Sequence, residues 1–125
     1  MVAVDDFDFL LGLELSGVSF VRDYVEFLFD GPVLRVMSEP QVRLADRWVS
    51  FPDPPFRDTA CTLIGGAITG VEADEDLLTV VFDTGASLRV PFYSEEAGPE
   101  VVHFVPWLDG APSVASMRVW ENRAS

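Results

Sequence analysis

Apolar and polar residues alternate with a period of two in three successive runs, and this three-run pattern occurs twice along the chain. Residues 11–36 read LGLELSGVSFVRDYVEFLFDGPVLRV, and residues 64–90 read IGGAITGVEADEDLLTVVFDTGASLRV. They align at an offset of 53, which becomes 54 after the inserted Thr84. Period-two alternation puts one set of side chains on one face of a strand. The pattern predicts strands at Ser16–Val21, Tyr24–Asp30 and Val33–Met37, and again at Ala67–Ala73, Leu77–Phe82 and Ser87–Val90. Asp30-Gly31 and Asp83-Thr84-Gly85 read as hairpin turns, because glycine accepts the positive φ that tight turns require.

Val25, Phe27 and Phe29 share a face with Leu34 and Val36, as Leu78, Val80 and Phe82 do with Leu88 and Val90. Arg35 and Arg89 point the other way. Leu28 and Val81 are apolar on that second face, which predicts cover on both sides of the middle strands. Phe9–Gly12 and Thr62–Gly65 read as single helical turns ended by glycine. Outside the repeats, Val42–Leu44, Trp48–Phe51, Val101–Val105 and Val114–Trp120 are strand candidates, while Pro52–Pro55 and Pro106–Pro112 read as loops. The expected fold is all-β: two pseudo-symmetric three-stranded antiparallel meanders packed as a sandwich or partly closed barrel, with short helical turns before each repeat. The competing arrangement is a single continuous sheet. Residues 1–125 read as one domain with internal repeats at 10–37 and 63–91.

Charge narrows the partners. The chain carries 21 acids and 8 arginines with no lysine, for a net charge of −13. Acids are spread evenly, 11 in residues 1–62 and 10 in 63–125. So few cations make no basic patch, which argues against nucleic acid and against an anionic membrane surface. A basic protein is the natural partner, its encounter speeded by electrostatic steering. The single cysteine allows no internal disulfide, and the acidic stretch MVAVDDFDFLLGLEL lacks the basic residues of a secretory signal. No apolar run approaches the roughly 20 residues of a membrane span. The expected setting is cytoplasmic.

Candidate chemistry is sparse. His103, alone in Val-Val-His-Phe-Val, has too few His or Cys companions for a metal site. Cys61 with His103 would be a nucleophile and base, but the flanking Ala60 and Thr62-Leu63-Ile64 read as core, where cysteines are inert. Asp5-Asp6-Asp8 and Glu72-Asp74-Glu75-Asp76 lack the spaced ligands of a calcium loop and read as solvated turns. Asp30, Asp83, Arg35 and Arg89 are retained in both repeats. They read first as a turn acceptor and a cross-strand partner, and second as a paired interaction site. No catalytic, cofactor-binding or metal residue is assigned.

The phrase L-x-G-x-x-[LI]-x-G-V, followed by F-D, an optional residue and G-x-x-L-x-V, occurs at Leu10–Val36 and Leu63–Val90. In these stretches the chain resembles small uncharacterised bacterial β-proteins of actinobacterial type, known only as a domain of unknown function. The resemblance covers a little under half the chain and implies no catalytic residue.

The expected function is therefore non-enzymatic: an acidic protein-interaction module, in its most concrete form an immunity-type protein that neutralises a basic toxin. The alternatives are a small-ligand-binding β-domain, with a cleft lined by Trp48, Phe51, Phe92, Tyr93 and Trp107, and a homodimeric structural subunit that pairs through Leu28 and Val81.

Overall fold

The computed structural model describes residues 6–124, and these are mostly β with one α-helix. The first meander is β1 (Gly17–Val21), β2 (Tyr24–Leu28) and β3 (Val33–Val36). Next come β4 (Gln41–Leu44), β5 (Arg47–Ser50) and α1 (Pro55–Cys61). The second meander is β6 (Ile68–Ala73), β7 (Leu77–Phe82) and β8 (Ser87–Pro91). The chain closes with β9 (Glu100–Val105), the short hairpin β10 (Trp107–Leu108) and β11 (Ala111–Pro112), and β12 (Arg118–Glu121).

Two antiparallel five-stranded sheets result, ordered β1-β2-β3-β9-β12 and β5-β4-β8-β7-β6. The strands after each meander do not extend that meander's own sheet. β4 crosses over to pair with β8 and carries β5 on its other side, while β9 crosses back to pair with β3 and carries β12. The two large sheets share one hydrophobic core in the manner of a sandwich. Val25, Phe27, Leu34 and Val36 from one, and Leu78, Val80, Leu88 and Val90 from the other, are all buried, the face that alternation predicts.

The segments ahead of each meander meet and are joined by backbone hydrogen bonds. A short 3-10 turn, Asp8–Leu10, leads to Gly12, and α1 leads through a turn to Gly65; both glycines have positive φ, +86° and +95°. Gly12 N–H donates to Ile68 O at 2.9 Å and Gly65 N–H to Leu15 O at 2.7 Å. Leu15 N–H and Ile68 N–H donate in turn to Gly66 O and Leu13 O, and Glu14 faces Ala67 in an isolated bridge.

Five expectations are corrected. Pro106–Pro112 is not all loop, because Trp107–Leu108 and Ala111–Pro112 pair as a short antiparallel hairpin around Asp109-Gly110. Pro55 is not loop but the first residue of α1, a position where its missing N–H costs nothing. Phe56 and Ala60, one helical turn apart, are both fully buried and fix that helix on the core. Cys61, at its far end, is exposed rather than buried. Val114–Trp120 is not one strand, because Val114–Ser116 forms a 3-10 turn and pairing starts only where Arg118 meets Phe104. The second face of the middle strands is thinly covered, with Leu28 half-buried and Val81 exposed.

Candidate functional site

Four separate segments converge at one end of the molecule to form a groove of about 600 Å³. Arg22 and Asp23 come from the β1–β2 turn, and Tyr24 from β2. Met37, Ser38 and Glu39 follow β3, Phe51 and Pro52 follow β5, and residues 96–100 form the loop entering β9. Tyr24, Met37, Phe51, Pro52 and Pro99 supply apolar surface. Asp23, Glu39, Glu96 and Glu100 add four carboxylates against the single guanidinium of Arg22. An apolar floor with a few convergent polar groups is the usual form of a binding site.

The 94–98 loop, whose end lines the groove, is held by Asn122, which is buried. Its Nδ2 donates to the carbonyls of Ser94 (2.7 Å) and Gly98 (3.0 Å), and its Oδ1 accepts from Ser94 N–H (3.1 Å). Ser94 Oγ donates to both oxygens of Glu39, at 2.7 and 3.1 Å, and accepts the N–H groups of Glu96 and Ala97. Glu39 is thereby held in place without a cationic partner among the described residues. A carboxylate fixed beside an apolar floor fits a side chain with an apolar stem and a cationic head, as arginine and lysine have.

Glu100 ties the groove to the outer face of the first sheet. Its Oε1 lies 2.9 Å from His103 Nε2, while Arg35 Nη1 lies 3.2 Å from His103 Nδ1. Arginine can only donate, so Nδ1 accepts and the ring proton sits on Nε2, facing Glu100. Arg35 Nε also meets Glu26 Oε2 at 3.0 Å, directly across the β2–β3 ladder. Both His103 nitrogens are thus engaged in this network, away from Cys61 on α1.

The residues retained in both repeats do not form one site. Asp30, in the left-handed region at φ 53°, donates its N–H to Ser16 Oγ, whereas Asp83 Oδ1 accepts from Ala67 N–H at 3.1 Å. Arg35 lies on the outer face of one sheet and Arg89 on that of the other. Arg89 has no carboxylate partner among the described residues; its Cζ sits 4.0 Å from the ring centroid of Trp48. Arg43 approaches the same ring at 5.6 Å, and its Nε is buried with no acceptor among the described residues, which costs roughly 1–3 kcal/mol.

The five aromatic residues expected to line a cleft are dispersed. Phe51 lines the groove, Phe92 is buried, Trp48 lies under Arg89, and Trp107 packs over Gly31. Tyr93 is exposed and donates to Glu95; that hydrogen bond, then the nearby negative charge, raises its pKa above 10.0. In the acidic β6–β7 turn, Asp74 Oδ1 accepts from Asp76 and Leu77 N–H. The Leu77 bond and then the Asp76 bond lower its pKa below 3.8. In the described part of the amino-terminal group, Asp6 Oδ1 accepts from Asp8 N–H at 2.8 Å; Asp5 lies outside the described residues. Among the described residues no group of three or more His, Cys, Asp or Glu side chains is placed to hold a metal, and no helix is long and apolar enough to cross a membrane.

The groove, Ser94 and Asn122 were not legible in the sequence, because their convergence depends on strand crossovers that local pattern does not encode. Comparison of the chain with family models, curated proteins and solved structures finds no match.

Proposed function

We propose that this protein is a non-enzymatic acidic interaction module that receives a cationic segment of a basic protein in the end groove. The observation that carries this reading is the groove's composition: an apolar floor with four carboxylates to one guanidinium on its walls. The net charge of −13 supports it at longer range, since a field of one sign steers an oppositely charged partner before contact. In its most concrete form the protein is of immunity type and neutralises a basic toxin, in a cytoplasmic setting.

The finer architecture belongs to the same proposal. We infer that the two meanders are related by a pseudo-twofold axis running between Glu14 and Ala67. The hydrogen bonds Gly12 to Ile68 and Gly65 to Leu15 support it, because each is the other displaced by the repeat offset, as are Leu15 to Gly66 and Ile68 to Leu13. Crossing of β4–β5 and β9–β12 between sheets then binds the halves together.

The groove's size also favours a second reading, a small cationic ligand, since about 600 Å³ falls in the ordinary range for small-molecule sites. The decisive experiment mixes the protein with basic toxins encoded beside its gene and measures binding and protection at low and high salt. Tight, salt-sensitive binding that weakens in the Asp23→Asn/Glu96→Gln variant supports the proposal. Absence of binding or protection with every such toxin would sink the immunity form.

A further inference from the structure

The two repeats serve as each other's control at one position. Arg35 in β3 and Arg89 in β8 occupy equivalent places, with the same outward direction. Opposite Arg35 on the middle strand stands Glu26, which neutralises it at 3.0 Å; opposite Arg89 stands Thr79, which cannot. On the other flank Arg35 meets His103, whereas Arg89 faces Gln41. The second copy thus lacks the counter-charge that the first copy has.

In its place the second copy has an indole. Arg89 stacks on Trp48, and Arg43, two residues along the neighbouring strand from Gln41, approaches the same ring. Stacking fixes the guanidinium plane but leaves its N–H edge free, so little order is lost when an acceptor docks. The contact from Arg43 Nη2 to Ser87 Oγ is long, 3.4 Å, and supplies no charge. Two like charges on one ring, in a chain with 21 acids, are left without a carboxylate among the described residues.

We infer that Arg89, Arg43 and Trp48 form a carboxylate-binding subsite on the outer face of the second sheet, the ligand supplying the anion that Glu26 supplies to Arg35. A carboxylate matches the planar fork of a guanidinium with two parallel N–H···O bonds. The subsite is separate from the groove and does not rest on a basic partner being found.

The test is an NMR titration of the full chain at constant ionic strength, reading the Trp48 indole N–H and the Arg89 and Arg43 Nε–H signals. The probes are acetate, inorganic phosphate and the peptide acetyl-Gly-Glu-Gly-amide. Acetate is expected to shift these signals saturably, and Arg89→Gln to weaken it about tenfold. Thr79→Glu, which places the first repeat's own acid opposite Arg89, is expected to block the site while the remaining spectrum stays unchanged. This second variant keeps the test decisive if Arg89→Gln fails to fold. Tighter binding of the peptide than of acetate assigns the carboxylate to a polypeptide, and equal binding assigns it to a free acid. Linear shifts that are the same in wild type and Thr79→Glu, or phosphate binding tenfold tighter than acetate, would overturn the assignment.

Discussion

Individual residues carry two kinds of constraint here, conformational and electrostatic. Gly31 has φ +130°, and a Cβ there would stand 2.9 Å from Cγ of Trp107. Gly31→Ala therefore combines backbone strain with a clash and should cost about 2–3 kcal/mol in chemical denaturation. Gly12→Ala, also at positive φ but with open space around it, should cost only about 1 kcal/mol. The glycine signals were legible because positive φ is a property of a residue and its turn. The exposure of Cys61 was not: its apolar neighbours Ala60 and Leu63 point into the core, while α1 turns Cys61 outward. Asp74 adds a pH dependence. Its pKa is lower folded than unfolded, so its contribution is complete above the ordinary value of 3.8 and is lost as pH falls through the folded value. Denaturation curves should show wild type losing stability faster than Asp74→Asn below about pH 4.

At the scale of elements, alternation was enough to find both meanders and their buried faces. Strand pairing beyond the meanders was not readable, because β4 fits β8 through Val42 against Leu88, a contact no local pattern announces. The helix α1 was hidden by its prolines, which mark loops and helix starts alike. Phe56 anchors that helix, edge-on to Phe20 and Phe51. Phe56→Ala should destabilise the fold by about 3–5 kcal/mol in denaturant titration, the range for a buried phenylalanine. Asn122 staples the loop before β9 to the chain's closing segment. Asn122→Ala strips partners from the carbonyls of Ser94 and Gly98 and should cost about 2–3 kcal/mol. Hydrogen exchange should rise at Glu96 and Ala97 well before the sheets are affected.

For the whole molecule, the sequence revealed the sign of the charge but not where it acts. The groove draws on segments from Arg22 to Glu100, and its acids come together only because the strand crossovers bring both repeats' connecting loops to one end. The central claim is that this groove takes a cationic segment. Its most direct test is an NMR titration of the isotope-labelled chain with the peptide acetyl-Leu-Arg-Leu-Arg-amide. Saturable shifts are expected, confined to the groove around Tyr24, Met37 and Gly98. Affinity should fall severalfold between about 50 and 300 mM salt as surface charges are screened, and fall again in Asp23→Asn/Glu96→Gln. Shifts scattered over the acidic surface, or unchanged by that double substitution, would contradict it.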